Sequence, residues 1–228
     1  MRTRQLNVGG LLPMTTLDHP GRLAAVVFCQ GCPLRCRYCH NPELLPRRGE
    51  HRIPWPEIVG FLESRRGLLD AVVFSGGEPT QQQALFPAVR QVREMGFEIG
   101  LHTAGIYPKR LARLLPSIDW VGLDIKALPE AYPALTGMPG SGALAWESAA
   151  LVIASGTPHQ LRTTVHPALI NRREKAHLQE RVRILAPLEH VWQTCRVEHC
   201  LDPTLRPVNT NPIGPKRRTV ACTTISNA

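Results

Sequence analysis

The sequence is poor in aromatic residues and has no long apolar run, and each shortage argues against a class of protein. Phe, Trp and Tyr make up 5% of the 228 residues, and basic residues are not interleaved with them as in many nucleic-acid-binding proteins. No apolar run approaches the length of a membrane span, and residues 1–7 lack the apolar core of a signal peptide. We therefore expect a cytoplasmic protein that contacts no membrane, and nucleic acid is not the expected partner.

Acidic residues are also scarce relative to basic ones. Lys and Arg number 27 against 18 Asp and Glu, which gives a formal net charge of +9. Such a balance suits nucleic acid, an acidic protein partner or an anionic substrate. Much of the excess is arginine, spread through predicted helices and the Lys216-Arg217-Arg218 tail. A solvated basic surface is the favoured interpretation.

Cysteine, by contrast, is plentiful and clustered. Seven cysteines, an odd number, do not suggest an extracellular disulfide framework, and a metal or redox role is favoured. Cys32, Cys36 and Cys39 have a C-x3-C-x2-C spacing directly after the strand-like run 23–28. Three thiolates this close suit an iron–sulfur centre, for which four protein ligands are usual. The missing fourth ligand predicts a cluster with one iron open to a substrate or cofactor.

A structural zinc site is the alternative for the same cysteines. Cys29 precedes Cys32 by three residues, so four thiolates could surround one zinc ion. Structural zinc sites usually divide into two pairs separated by a longer span, which this loop lacks. Cys29 also ends an apolar strand, where cysteine commonly packs as a small hydrophobic residue. We therefore predict a structural role for Cys29.

The rest of the chain alternates short apolar runs with amphipathic segments. This alternation predicts an α/β fold of six βα units around a parallel sheet, either an open doubly wound sheet or an incomplete barrel. Residues 7–22 are predicted as turns, 129–142 as a long loop, and 206–228 as an irregular tail after one domain over 1–205. The predicted strands are 23–28, 71–74, 97–101, 120–123, 159–165 and 190–194, and the predicted helices are 56–66, 84–95, 108–115, 144–154 and 172–185.

Polar motifs follow the predicted strands at their carboxyl ends, where parallel α/β folds bind ligands. They are the cysteine loop, Ser75-Gly76-Gly77-Glu78, Thr103, Asp124-Ile125-Lys126 and Arg162-Thr163-Thr164. The glycine pair suits either a tight turn or close backbone approach to a ligand. Asp124 and Lys126 lie on one face of a strand, as a surface ion pair or as partners of a zwitterionic ligand. Arg162 could bind a carboxylate or be structural.

Other candidates are weaker. His102 and His166 are predicted to be packed or hydrogen-bonded rather than catalytic. Cys195, His199 and Cys200 could form a second metal site, but they are too few to argue one, and free thiols are favoured.

Together the motifs resemble those of the radical S-adenosylmethionine (SAM) enzymes, and among them the glycyl-radical-enzyme activating proteins. The resemblance covers about residues 9–170 and rests on five segments. These are Asp18-His19-Pro20-Gly21, the loop from Cys32 to Pro42, Phe74 to Pro79, Asp124-Ile125-Lys126 and Leu161 to Val165. It is greatest to the group that activates anaerobic ribonucleoside-triphosphate reductase, with pyruvate formate-lyase activating enzyme as a relative. It implies a partial (β/α)6 barrel and one radical SAM domain.

The resemblance also implies a site and a reaction. Cys32, Cys36 and Cys39 would hold one [4Fe-4S] cluster, the catalytic metal centre. Reductive cleavage of SAM would give a 5′-deoxyadenosyl radical that takes a hydrogen from a glycine of the partner, expected to be anaerobic ribonucleotide reductase. A flavodoxin or ferredoxin-type protein would donate the electron. The residues implied to line the SAM site are Tyr38, Gly76, Gly77, Glu78, Thr103, Asp124, Lys126 and Arg162.

One departure and two alternatives accompany this interpretation. Relatives usually have Thr-Asn-Gly where this chain has Thr103-Ala104-Gly105, so one side-chain amide is missing from the implied site. The first alternative is a radical SAM enzyme that acts on a small molecule or peptide. The second is a non-enzymatic, zinc-binding nucleic-acid module.

Overall fold

The computed structural model describes residues 5–50, 52–185 and 190–206. Its strands are β1 (Val8–Thr15), β2 (Ala24–Cys29), β3 (Ala71–Gly76), β4 (Glu98–Thr103), β5 (Trp120–Asp124), β6 (His159–Val165) and β7 (His190–Thr194). Its α-helices are α1 (Trp55–Glu63), α2 (Leu85–Glu94), α3 (Pro108–Leu114), α4 (Tyr132–Thr136), α5 (Ser141–Ser155) and α6 (Arg172–Leu185). Apart from Arg206, the predicted tail 206–228 lies outside the described residues, and so does Cys222.

The seven strands form one sheet in the order in which they occur along the chain. Each strand from β2 to β7 pairs in parallel with the next, whereas β1 pairs antiparallel with β2. A doubly wound sheet reverses its strand order at a switch point, and this sheet does not. The sequential order is that of a barrel, which six parallel strands leave incomplete because a full one needs eight. The predicted α/β class with six parallel strands is confirmed.

Residues 7–22 were wrongly predicted as turns only, because they include β1. Gly9, Gly10 and Pro13 obscure the strand in the sequence. The pairing with β2 is irregular at both ends, between Val8 and Gly10 and between Leu12 and Thr15. Proline is tolerated here because β1 is an edge strand.

Two further boundaries differ from the prediction. The loop 129–142 contains a 3-10 turn at Pro129–Ala131 and the short helix α4, which ends at Gly137 with a φ of 67°. Helix α1 ends at Glu63, before Gly67, so the predicted helix was too long. The bounds of β6, α6 and β7 coincide with the predicted ones.

The sheet separates an outer core from the barrel interior. Side chains alternate along β3, so Val72 and Phe74 join the large core beneath the helices while Val73 packs inside the barrel with Val26. Helix α2 packs on this core through one apolar face, since its Leu85, Ala88, Val89 and Val92 are all buried. Cys29 is fully buried in the outer core, the location expected for a structural thiol.

Candidate active site

A cavity of about 600 Å³ lies at the carboxyl ends of the parallel strands. Every parallel strand, or the loop that follows it, contributes to its lining. Ten of the eleven residues implied by the resemblance line it, and the exception is Glu78. Those ten are Cys32, Cys36, Tyr38, Cys39, Gly76, Gly77, Thr103, Asp124, Lys126 and Arg162.

The cysteine loop is fixed by backbone hydrogen bonds to two neighbouring segments. The Cys32 amide donates to the Leu45 carbonyl at 3.0 Å, and the Arg35 amide donates to the Thr136 carbonyl at 2.7 Å at the end of α4. A tight turn closes the loop, because the Cys39 amide donates to the Cys36 carbonyl at 2.9 Å. All three cysteines are thereby held at the wall of one cavity.

The chemistry of this wall fits an iron–sulfur cluster. Burial raises the pKa of all three thiols, that of Cys32 to about 12, so in the absence of iron the thiols are protonated. Iron bound here would displace these protons, since the thiolate is the ligand. The buried hydroxyl of Tyr38, also at the cavity wall, has no hydrogen-bond partner among the described residues. A buried polar atom without a partner is rare in a folded protein, and a bound ligand would satisfy it.

The described residues contain no set of three His, Cys, Asp or Glu side chains that converges on a single metal ion. A [4Fe-4S] cluster does not require such convergence, because each cysteine binds a different iron. Cys195 and Cys200 form no disulfide among the described residues, and the Cys200 thiol donates to the Asp202 carbonyl at 3.0 Å.

The glycine pair at the end of β3 permits close contact with the backbone that leads from β2 into the cysteine loop. Gly76 has a φ of 105°, and a Cβ there would lie 2.5 Å from the Cys29 amide nitrogen. A Cβ on Gly77 would overlap the Gly31 carbonyl oxygen. Both positions therefore require glycine on steric grounds. Their backbone is left facing the cavity.

Glu78 lies behind this turn, not in the cavity lining. Its carboxylate is fully buried and accepts hydrogen bonds from the Thr80 amide and hydroxyl, the Thr103 hydroxyl and the Ala104 amide, at 2.5–3.0 Å. Burial raises the pKa of Glu78, and the four hydrogen bonds oppose that effect. These contacts give Glu78 the role of an anchor that ties the end of β3 to the end of β4.

The ends of β5 and β6 supply a charged group of three side chains. Arg162 Nε donates to Asp124 Oδ1 at 3.1 Å, and Lys126 Nζ lies 3.4 Å from Asp124 Oδ2. The Asp124 side chain is 35% exposed, while the Arg162 and Lys126 side chains are 12% and 9% exposed. Gly122 makes room for this arrangement, because a Cβ there would lie 2.9 Å from the Arg162 guanidinium. The group carries one net positive charge into the cavity wall.

The pKa values of the group favour its ionised form. Burial alone would raise the pKa of Asp124, but the Arg162 guanidinium and the Lys126 ammonium hold it below its usual value. Burial alone would lower the pKa of Lys126, but the negative charge that Tyr38, Asp124 and Cys36 carry when they are ionised outweighs burial and raises it. The Lys126 ammonium also lies 5.6 Å from the Tyr38 ring centroid.

His102 is packed and hydrogen-bonded, as predicted, although it also lines the cavity. Its Nε2 lies 2.9 Å from the Asp18 carbonyl oxygen and 3.5 Å from an Arg162 nitrogen. Burial and the Arg162 charge lower the pKa of His102 to about 4, so the ring is neutral near pH 7. Asp18, which also lines the cavity, was not assigned to the site from the sequence.

Sequence reasoning also missed the contribution of the end of β7 and of the segment that follows it. Gln193, Thr194 and Arg196 line the cavity, and the Arg196 carbonyl lies 2.5 Å from His40 Nε2. The loop then packs on the cysteine loop through an ion pair of 2.7 Å between Arg37 and Asp202. The resemblance covers only about residues 9–170 and does not reach this segment, so the sequence carried no signal for it.

Fold and site together define a class of protein, an incomplete barrel with three cysteines and a charged group of side chains around one cavity at the carboxyl edge of its parallel strands. The family model described as "Radical SAM superfamily" matches residues 26–181. The chain belongs to the radical SAM superfamily, whose cofactors are a [4Fe-4S] cluster and SAM. The predicted family and its cofactors are thereby confirmed.

Two named sequence relatives and one solved structure show what this chain is similar to. A Methanocaldococcus jannaschii protein, provisionally named a glycyl-radical enzyme activating enzyme, is 34% identical over 128 residues, 55% of this chain and 52% of that protein. Pyruvate formate-lyase-activating enzyme of Streptococcus mutans is 30% identical over 173 residues, 70% of this chain and 65% of that enzyme. Streptococcus suis SuiB, solved with S-adenosylmethionine bound, has a TM-score of 0.60 at 14% identity, over 75% of this chain and 40% of that chain.

Each match covers only part of the relative's length. The chain spans 52% and 65% of the two curated relatives, and a likeness at 14% identity establishes the fold alone. Within the described ranges, every helix is too short or too polar to cross a membrane.

Proposed function

We propose that this protein is an oxidoreductase of the cytoplasm that activates a glycyl radical enzyme. The observation that carries the proposal is the convergence of three cysteines, the glycine turn and the Asp124–Lys126–Arg162 group on one cavity. The names of the sequence relatives support activation of a glycyl radical enzyme as the reaction. When bound, the cluster would supply the electron that cleaves SAM, and the resulting radical would remove a glycine hydrogen from the partner.

Each part of the site has a proposed task. Cys32, Cys36 and Cys39 would hold the [4Fe-4S] cluster and leave one iron for SAM. The cationic Lys126 and Arg162 would attract the carboxylate of a zwitterionic ligand, while Asp124 balances one of their charges.

The remaining site residues have supporting tasks. The exposed backbone of Gly76 and Gly77 would approach the ligand ammonium, and Thr103 would complete the wall. The unpartnered hydroxyl of Tyr38 would bond a polar atom of the bound ligand. Glu78 would act through the turn that it anchors, without touching SAM.

Anaerobic ribonucleotide reductase is the partner that we favour, and a flavodoxin or ferredoxin-type protein is the favoured electron donor. Support for anaerobic ribonucleotide reductase as the partner comes from the likeness of the strand-end motifs to those of the proteins that activate this reductase. Support for the donor class comes from the need for one electron at low potential.

The test is anaerobic reconstitution with iron and sulfide, followed by incubation with SAM, a reductant and candidate partners. We expect the electron paramagnetic resonance signal of a glycyl radical on the partner and an equal amount of 5′-deoxyadenosine. A Cys36→Ala variant of this protein and a Gly→Ala variant of the partner at its radical site are the controls, and neither should give the signal.

Two outcomes would refute the proposal in different ways. 5′-Deoxyadenosine without a glycyl radical on any candidate would favour a small molecule or peptide as substrate. Colourless protein with stoichiometric zinc, and nucleic-acid affinity that falls steeply with salt, would favour the zinc module.

A further inference from the structure

A second cavity, of about 1010 Å³, lies outside the active-site cavity. We name it the arginine groove for its basic residues, Arg47, Arg48, Arg52 and Arg110. Its other lining residues in the described part of the chain are asparagine and glutamine, except for Ala84. No lining residue there is acidic. The groove therefore combines positive charge with neutral hydrogen-bonding groups.

The groove and the active-site cavity share a wall. Gln30 lines the groove, whereas Cys32, two residues later, lines the active-site cavity. Similarly, Leu45 lines the active-site cavity and Arg47 lines the groove. A hydrogen bond of 3.0 Å from the Cys32 amide to the Leu45 carbonyl joins these two segments. At this point the shared wall is formed by two hydrogen-bonded backbone segments, one of which contains Cys32.

Within the described residues, no carboxylate neutralises the positive charge of the groove. Arg47, Arg48 and Arg52 are exposed and form no ion pair with a carboxylate in the described ranges. Arg110 is fixed, because it donates to the Thr80 and Gln81 carbonyls and lies 4.8 Å from the Tyr107 ring centroid. Guanidinium groups stay protonated in proteins, so the groove holds four positive charges.

These features fit an acidic protein surface better than a small anion. A site for a small ligand encloses it with buried, convergent groups, whereas three of the four arginines here are exposed on an open groove. Exposed charges of one sign steer an oppositely charged protein to its docking site and raise the association rate. Small, weakly bound interfaces of this kind are common between electron-transfer proteins.

We propose that the arginine groove docks an acidic one-electron carrier protein with a reduced flavin or iron–sulfur centre. The inference rests on the proposed function, which requires an electron from outside the active site. In the transfer the carrier is oxidised by one electron and the centre held by the three cysteines is reduced by one. The shared wall gives this electron a short path, from Gln30 through Gly31 to Cys32.

The test compares two triple variants of equal net charge. The groove variant is Arg47→Gln, Arg48→Gln and Arg52→Gln, and Arg110 is kept because it holds the 80–81 carbonyls. The control variant is Arg90→Gln, Arg172→Gln and Arg173→Gln, all exposed residues of α2 and α6. Two quantities are measured at low and high salt. They are the affinity of an acidic flavodoxin for the cluster-free protein and the rate at which reduced flavodoxin reduces the reconstituted protein.

We expect the groove variant to lose about 10-fold or more in flavodoxin affinity and reduction rate at low salt, because steering contributes on the order of 10- to 1000-fold. The control variant should stay within about 2-fold of wild type, since local charge decides the effect. Reduction by methyl viologen radical, a small cationic reductant, should not be slowed in either variant, because the loss of positive charge does not hinder the approach of a cation.

Three results would overturn the inference. Equal losses in groove and control variants would mean that net charge alone, not this surface, attracts the carrier. Stoichiometric binding of inorganic pyrophosphate that only the groove variant loses, with unchanged flavodoxin binding, would make the groove a small-anion site. If wild-type protein reduced by viologen cleaves no SAM, the proposed function fails, and the reason for an electron carrier fails with it.

Discussion

Replacement of Glu78 by glutamine tests whether this residue is an anchor or a ligand contact. Glu78 Oε1 accepts from the Thr80 amide, the Thr80 hydroxyl and the Thr103 hydroxyl, at 3.0, 2.5 and 2.7 Å. Oε2 accepts from the Ala104 amide at 2.9 Å. A glutamine keeps its carbonyl on the side with three donors, so its NH2 group faces the Ala104 N–H. Two donors then meet where one charged hydrogen bond existed.

The cost follows from these contacts. Loss of one hydrogen bond to a charged group costs about 1.5–3 kcal/mol, and the three remaining bonds weaken when the acceptor becomes neutral. Relief from burying a charge offsets part of this loss. We therefore expect Glu78→Gln to lower the free energy of unfolding by about 2–3 kcal/mol in the absence of cluster and SAM.

The assay is urea unfolding of cluster-free protein, followed by tryptophan fluorescence. The midpoint should fall while the slope stays constant, because the surface exposed on unfolding does not change. Glu147→Gln, an exposed substitution in α5, is the matched control and should change stability by less than about 0.5 kcal/mol. Unchanged stability of Glu78→Gln, together with weaker SAM binding, would refute the anchor role.

Three further predictions concern the walls of the site. Gly77→Ala should lower the free energy of unfolding by about 1–3 kcal/mol, because the new Cβ would overlap backbone atoms. The control Gly60→Ala places its Cβ in open space and should stabilise α1 by up to about 1 kcal/mol, and equal effects of the two variants in urea unfolding would contradict this reasoning. Asp124→Asn should lower the free energy of unfolding by about 1–3 kcal/mol, less than the loss for a fully enclosed ion pair, because the Asp124 side chain is 35% exposed. The same variant should change the SAM affinity measured by calorimetry, and wild-type stability together with wild-type affinity would count against the role of the charged group. Asp202→Asn should speed hydrogen exchange at the Leu201 amide, which donates to the Cys39 carbonyl, and unchanged exchange would mean that the ion pair does not hold this loop.

Strands β2, β3 and β5 could be predicted because each is a mostly apolar run that is buried on both faces. Once 71–74 and 120–123 are strands, Gly76 and Asp124 must lie at the same edge of a parallel sheet. The first strand escaped prediction because Gly10 and Pro13 interrupt its apolar pattern and its pairing is irregular. The sequence interpretation relied on local residue type, which favours turns here. In the structure, pairing with β2 makes the segment a strand, and its edge position tolerates the proline.

Other features depend on contacts between residues distant in sequence. The acceptor role of Glu78 is fixed by Thr103 and Ala104, which lie 25 and 26 residues away. The arginine groove combines Arg47 and Arg110, and no spacing rule joins such positions. Motif spacing therefore predicts which residues lie near a strand end, while the structure decides which of them line the cavity.

The most direct measurement for the central claim is electron paramagnetic resonance of the anaerobically reconstituted and reduced protein, with and without SAM. The account predicts a [4Fe-4S]⁺ signal that changes when SAM is added, together with release of 5′-deoxyadenosine. It also predicts that Cys32→Ala, Cys36→Ala and Cys39→Ala each abolish the change, whereas Cys29→Ala keeps it. Absence of a cluster, or a cluster signal indifferent to SAM, would contradict the account.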